Sequence, residues 1–204
     1  KISQFFTFWL KTNNLPGIST NTEFLNGINT TGLREEMKRE LDEFINYILF
    51  TRQGNYHELM TSSISFARTP ELAQIYGHAL ANNPSLGTQQ MGSGRKGLLL
   101  RGPFLISTTD YSHPITRGVL LRKRILCDTI GAPSPQAFAA QQQIIDSNQA
   151  LQFSTRQRIV AVTSPSQCIS CHSSINPLGF ALENFDSLGR WRSTEINYNA
   201  DFEV

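Results

Sequence analysis

One pentapeptide constrains this chain more than any other feature, namely Cys168-Ile169-Ser170-Cys171-His172. If these residues are helical, the two thiols lie on the same side of one turn and the histidine follows directly. Two thiols at this spacing suit thioether bonds to the two vinyl groups of a haem, with the imidazole as the proximal iron ligand. The motif therefore predicts one covalent haem c, held by Cys168, Cys171 and His172.

Two other uses of the cysteines are weighed against haem. A zinc site would need Cys127 as the fourth ligand beside the motif. However, adjacent residues rarely point at one small tetrahedral centre, and the sequence lacks a second, well-spaced ligand pair. A thiol–disulfide couple would need a βαβ context, which is also missing. With haem favoured, Cys127 lies on a mostly apolar segment and is expected to be a buried, inert thiol.

Apolar periodicity predicts a mainly α fold. The clearest helix spans residues 32–51, with Thr31 as its predicted cap and charged residues, Glu40 among them, on its polar face. Residues 97–106 are apolar but too short to assign as helix or strand. The other predicted helices are residues 2–12, 56–60, 70–77 (capped by Thr69, with Pro70 in the first turn and Gly77 as the stop), 114–127, 134–145 and 154–162.

A polar, glycine-rich loop at residues 82–94 marks the predicted domain boundary. We expect an N-terminal helical domain at residues 1–84 and a monohaem cytochrome c-like domain at residues 95–204. The predicted architecture is an irregular helical c-type cytochrome module packed on a small N-terminal helical domain.

Composition narrows the partners and the compartment. The net charge is +2 and no basic run alternates with aromatic residues, which argues against nucleic acid. No stretch of 18 apolar residues is present, so no transmembrane segment is predicted. Haem attachment of this kind is an export-side reaction. We therefore expect a periplasmic, extracellular or cell-envelope location, with a leader removed or outside this sequence.

The residues after the motif suit a large, flat apolar cofactor. Leu178 and Phe180 are predicted to contact the haem within an apolar wall that also includes Ile175, Leu182 and Phe185. Pro177 follows the motif closely, and a backbone carbonyl near Asn176-Pro177 is expected to accept the Nδ1–H of His172. Arg117 and Arg190 are candidates to pair with the haem propionates, since guanidinium matches carboxylate in a bidentate fashion.

A sixth iron ligand would have to come from upstream, because no His or Met follows His172. His113 precedes a proline, which disfavours helical backbone there, and it is slightly preferred. Met91 lies in the glycine-rich loop, which is expected to be flexible, and is the second candidate. If neither binds, a five-coordinate iron would react with peroxide or bind small gases.

These residues resemble a known family. The run from Cys168 to Arg192, with its Asn-Pro-Leu-Gly-Phe and Glu-Asn-Phe-Asp-Ser-Leu-Gly-Arg-Trp-Arg segments, is similar to the planctomycete-type cytochrome c domains of large exported bacterial proteins. Upstream, Arg95-Lys-Gly-Leu-Leu and Pro114-Ile-Thr-Arg-Gly resemble segments of the same family. Residues 33–77 resemble the helical domain that precedes it. The resemblance implies a monohaem module within a multidomain protein, of which this chain would be a piece.

Two positions depart from that family. Asn176 stands where the family usually has Asp, and His113 stands where a small residue is expected before proline. The leading hypothesis is an electron-transfer module that exchanges electrons with a partner redox protein and belongs to a larger assembly. The alternatives are a haem enzyme with an open distal site, either peroxidase-like or gas-binding, and a structural subunit stapled by haem.

Overall fold

The computed structural model describes residues 2–80, 89–92, 94–132, 135 and 153–196. These residues are mainly helical, which confirms the predicted class. The chain divides into two compact units. Unit 1 is Lys1–Asp110 with Phe185–Trp191, and unit 2 is Tyr111–Asn184 with Arg192–Val204. These units are defined by contacts within the fold, and not by continuous stretches of the chain, so they do not test the predicted domains. The domains at residues 1–84 and 95–204 therefore stay a prediction.

Unit 1 is built from short helices and one small sheet. Helix α3 (Leu33–Asn46) continues into a π-helical turn at Tyr47–Thr51. Residues 97–106, for which periodicity indicates neither helix nor strand, contain a 3₁₀ turn at Leu98–Leu100 and helix α6 (Gly102–Leu105). The helices are α1 (Ile2–Leu10), α2 (Thr22–Leu25), α3 (Leu33–Asn46), α4 (Tyr56–Thr61), α5 (Pro70–Tyr76) and α6 (Gly102–Leu105). Strand β1 (Ile64–Ser65) pairs antiparallel with β2 (Gln89–Gln90).

The caps predicted for α5 are present in the structure, whereas the cap predicted for α3 is not. The Thr69 hydroxyl accepts the Leu72 N–H at 3.3 Å, and Gly77 ends α5 with a left-handed φ of 76°. The predicted cap Thr31 is wrong, because Gly32 is the N-cap of α3 and no side chain caps that end. Gly32 has a φ of 71°, a conformation that glycine adopts without strain.

The core of unit 1 contains a buried ion pair. Glu40, predicted on the polar face of α3, is fully buried and pairs with the equally buried Arg101. The Tyr76 hydroxyl donates to Glu40 Oε2 at 3.0 Å, and the Phe66 N–H donates to Glu40 Oε1 at 3.1 Å. Burial, followed by the Glu40 charge, raises the pKa of Tyr76. The Arg101 guanidinium also lies over the Phe44 ring, 3.3 Å from its centroid.

Unit 2 contains the C-terminal helices. They are α7 (Pro114–Leu120), which continues as a π-helical turn at Leu121–Ile125, α8 (Thr155–Thr163) and α9 (Ser166–Phe180). Ser154 and Gln157 form a capping box at the start of α8. The predicted helix at residues 134–145 falls almost wholly outside the described residues.

Two glycines allow α7 and α9 to pack closely. A side chain at Gly118 on α7 would collide with the Ile175 carbonyl, and one at Gly179 on α9 would collide with the Pro114 carbonyl. A residue without Cβ is therefore required on each helix where the backbones meet. This contact extends along α7 from Pro114 to Gly118 and involves the second half of α9.

Cys127 corrects one expectation. It is exposed rather than buried, and its φ of 60° places it in the left-handed region. The apolar segment stops being helical at Ile125, and the Asp128 N–H returns to the Arg122 carbonyl at 2.9 Å. The chain therefore leaves the helix at Leu126 and presents the thiol to solvent.

Candidate cofactor site

The whole attachment motif lies on helix α9. Cys168 is buried, Cys171 is exposed and His172 is half-buried. On an α-helix, residues three apart lie about 60° apart around the axis and about 4.5 Å along it. The two free thiols are therefore neighbours on one turn, and His172 lies one turn beyond Cys168 on the same side.

A side chain, not the expected backbone carbonyl, partners the imidazole. His172 Nδ1 lies 3.1 Å from Asn176 Oδ1. The prediction of a carbonyl near Asn176-Pro177 is wrong, because α9 runs through both residues to Phe180. A helix places the residue at i+4 directly above residue i. The bond engages Nδ1 and leaves Nε2 as the nitrogen available to a metal.

Ile175, Leu178 and Phe180 of the predicted wall lie on the same helix as the motif, whereas Leu182 follows that helix and Phe185 belongs to unit 1. Pro177 is exposed inside α9 rather than in a loop, and Leu178 and Phe180 are half-buried. The Arg156 guanidinium lies 4.8 Å from the centroid of the Phe180 ring. The structure therefore brings these three residues onto the motif helix, while their haem contacts stay a prediction.

The described residues of unit 2 include several exposed apolar side chains. Among its described residues, the buried apolar side chains are Pro114, Val162, Cys168 and Ile175. Ile169, next to Cys168, is 52% exposed, and Val160 on α8 is 50% exposed. Apolar side chains in water cost free energy that burial would recover. The donor set and this apolar surface together fit a large apolar cofactor on unit 2.

Arg117 is buried in unit 2 beside an acidic side chain. Its Nη1 donates to the Leu182 carbonyl at 3.1 Å and lies 3.7 Å from Glu183 Oε1. Glu183 also accepts the Ser112 hydroxyl at 2.7 Å and lies 3.4 Å from Arg192. Burial raises the pKa of Glu183, opposed by the Ser112 hydrogen bond and the two arginine charges. A propionate contact by Arg117 stays a prediction.

The two candidate distal ligands belong to different units. His113 is in unit 2, immediately before α7; its side chain is exposed, and partial desolvation of the ring, followed by the Arg117 charge, lowers its pKa. Neutral imidazole is the ligating form of histidine. Met91 belongs to unit 1, where it is buried directly after β2 and its N–H donates to the Ser63 carbonyl at 2.8 Å. Met91 is therefore packed within unit 1, and iron ligation by either residue stays a prediction.

Arg190 is engaged within unit 1. Its Nε donates to Asp186 Oδ2 at 2.7 Å, and its Nη2 donates to the Phe24 carbonyl at 2.8 Å. The guanidinium also lies over the Phe24 ring, 4.6 Å from its centroid. The structure gives Arg190 a role in joining the segment around Asp186 to α2, and its proposed propionate contact stays a prediction.

The described residues contain neither a cluster of metal-ligating side chains nor a membrane-spanning helix. No group of three His, Cys, Asp or Glu side chains in the described part of the chain is arranged to hold a metal ion. No helix among those residues is both long enough and apolar enough to cross a membrane.

Sequence reasoning missed Asn176 and Thr163 as supports of the site. The Asn176 amide nitrogen donates to the Thr163 hydroxyl at 2.8 Å, and both side chains are buried. The i, i+4 spacing of His172 and Asn176 was the available signal. Thr163 gave no such signal, because its approach to Asn176 depends on how α8 and α9 pack.

Comparison with known families divides the chain into two segments. Residues 95–195 match PSCyt3, described as a protein of unknown function (DUF1588). Residues 1–78 match PSD4, also described as a protein of unknown function (DUF1592). Both are names of planctomycete cytochrome-like domains, so the resemblance stated from the motifs is supported at that level. No curated protein and no solved structure matches the chain.

Proposed function

We propose that this chain is an exported bacterial c-type cytochrome module that exchanges electrons with a partner redox protein. Cys168 and Cys171 would hold one haem through thioether bonds, and His172 would ligate its iron. The observation that carries the proposal is the hydrogen bond from His172 Nδ1 to Asn176, on the helix that also presents both thiols. When bound, the haem supplies a one-electron Fe(II)/Fe(III) couple.

The apolar surface of unit 2 supports the same proposal. Ile169 and Val160 are half-exposed, and few apolar side chains are buried among the described residues of this unit. A cofactor that covered these side chains would take the place of part of a hydrophobic core. The residues around the motif would then exclude water from the cofactor and lower the local dielectric constant.

Charge suggests the chemistry of the partner. The three described acidic residues of unit 2 (Asp128, Glu183 and Glu195) all lie within 4.0 Å of an arginine. The seven described cations of the unit are Arg117, Arg122, Lys123, Arg124, Arg156, Arg158 and Arg192. With Asp146, Asp201 and Glu203 counted as well, unit 2 has seven cations against six acidic residues, so the basic triplet Arg122-Lys123-Arg124, rather than net charge, would be the docking patch for a partner with an acidic surface. Oxidation of the reduced protein by anionic ferricyanide should therefore slow as salt is added; a rate that does not change with salt would contradict this partner.

Intact-mass analysis tests the attachment. The chain should be produced with an export leader in a bacterium that attaches haem c, and its mass should exceed that of the polypeptide by one haem. The reduced protein should show sharp α and β absorption bands, and haem should stay bound under denaturing electrophoresis. Cell fractionation should place the product outside the cytoplasm.

A matched pair of variants makes the test specific. Cys168→Ala/Cys171→Ala should lose covalent haem completely, because both thioether bonds are removed. Cys127→Ala should keep it, because that thiol is exposed and lies on a different element. A wild-type mass equal to that of the amino acids alone would end the proposal.

A further inference from the structure

Three side chains form a directed line of hydrogen bonds from α8 to the imidazole of His172. The Thr163 hydroxyl lies 2.6 Å from the Ile159 carbonyl, and the Asn176 Nδ2 lies 2.8 Å from Thr163 Oγ1. Asn176 Oδ1 then lies 3.1 Å from His172 Nδ1. Thr163 is 5% exposed and Asn176 is 9% exposed, so water competes little for these groups.

The direction of each bond follows from the chemistry of its groups. A carbonyl only accepts, so the Thr163 hydroxyl must donate its proton to Ile159. The Thr163 oxygen is then left to accept from Asn176, which requires the NH₂ side of the amide to face it. The amide oxygen therefore faces His172, and an oxygen acceptor requires a proton on Nδ1. In the neutral imidazole this leaves the lone pair on Nε2.

We propose that Thr163 and Asn176 are positioning residues that hold His172 in its Nδ1–H tautomer and set the basicity of its Nε2. Outer hydrogen bonds to a ligating histidine fix its tautomer and tune its ligand strength. The tautomer follows from the hydrogen bonds alone. Its consequence for a reduction potential rests on the function proposed above. Asn176 is a neutral acceptor, so it polarises the imidazole less than a carboxylate would.

The tautomer is measured without haem. In the full chain carrying Cys168→Ala/Cys171→Ala, ¹⁵N resonances of the imidazole at neutral pH should show a protonated Nδ1 and a pyridine-type Nε2. Asn176→Leu should move most of the population to the Nε2–H form, and Thr163→Val should give a mixture, because the amide is no longer fixed. Thr163→Ser keeps the hydroxyl and should match the parent. A parent in the Nε2–H form, or an Asn176→Leu variant with an unchanged tautomer, would overturn the proposal.

The reduction potential of the loaded protein is the second measurement, and it decides the matter if a haem-free variant does not fold. Asn176→Asp should lower the potential, because a carboxylate acceptor makes the imidazole a stronger donor to the oxidised iron. Asn176→Leu should raise it, because the acceptor is lost. Ser173→Ala, an exposed change on the same helix, should leave it unchanged. Shifts in the same direction for the Asp and Leu variants would indicate a merely structural role and reject the proposal.

Discussion

The two compact units differ in how they bury their side chains. In unit 1, helices α3 and α5 bury apolar residues such as Phe44, Leu72 and Ile75 almost completely, together with the paired charges of Glu40 and Arg101. The described residues of unit 2 bury fewer apolar side chains, whereas both units leave several large apolar side chains exposed. Unit 1 is therefore stabilised mainly by its own core, whereas the haem proposed for unit 2 would add to the stability of the described part of that unit.

The largest expected effect is the gain in stability of unit 2, relative to unit 1, when haem is bound. Haem that covers about 200 Å² of apolar protein surface would contribute about 5 kcal/mol to unit 2. Hydrogen exchange should show that loading protects the amides of α8 and α9 strongly, while the amides of α3 change little. The haem-free Cys168→Ala/Cys171→Ala chain should keep its helices and exchange faster in unit 2. If the amides of both units were equally protected from exchange without haem, the proposed difference in stability between the units would be contradicted.

The second effect concerns the buried ion pair of unit 1. Arg101→Met leaves the Glu40 carboxylate buried without its partner and should cost about 3–5 kcal/mol of unfolding free energy, measured by urea denaturation. Replacing both residues, as in Glu40→Leu/Arg101→Met, should cost much less, because no charge is left unpaired. Arg52→Met changes an exposed arginine and serves as the control. Exchange in α9 should be unaffected if the units are energetically separate.

A smaller loss is expected where α7 meets α9. Gly118→Ala or Gly179→Ala places a methyl group against a backbone carbonyl and should destabilise unit 2 by about 1–3 kcal/mol. Gly131→Ala is the matched control, since no atom lies within 4 Å of the added carbon. Its stability should stay within about 0.5 kcal/mol of wild type. An equal loss in all three variants would show that backbone preference, not packing, is responsible.

The smallest effect is a pH dependence in unit 2. Burial raises the pKa of Glu183 in the folded state, so the folded state holds that proton more tightly than the unfolded state does. This contribution to stability is present below the ordinary glutamate pKa and is lost as pH rises through the raised value. Glu183→Gln should therefore flatten the decline of stability with pH by less than about 1 kcal/mol. A steeper decline in the variant would contradict the direction of the shift.

The sequence predicted the helices better than the side-chain environments. The apolar periodicity of α3 and the caps of α5 are local properties, and the structure contains both. The sequence predicts Glu40 on the solvent-exposed face of α3, because the pattern of one helix does not reveal that Arg101, sixty-one residues away, lies opposite it. The exposure of Cys127 was missed for a related reason, since the end of a helix decides it rather than local hydrophobicity.

At the candidate site, too, local features could be predicted, whereas contacts between elements could not. The motif on α9 could be predicted because its spacing is local, and the acceptor for His172 lies only four residues away. Thr163 could not be predicted, because it reaches Asn176 through the packing of two helices. Residue type and local sequence context make Met91 and Arg190 candidates, but neither reveals that the fold buries Met91 and pairs Arg190 with Asp186.

The segment Phe185–Trp191 belongs to unit 1 although unit 2 residues flank it on both sides. Within unit 1, the Ser187 carbonyl accepts the Ser107 N–H at 2.8 Å, and Leu188 is fully buried. The two units are thus interleaved along the polypeptide. A truncation that keeps only residues 95–195 would strip this segment of partners such as Phe24, so expression trials aimed at a minimal soluble fragment should retain the N-terminal half.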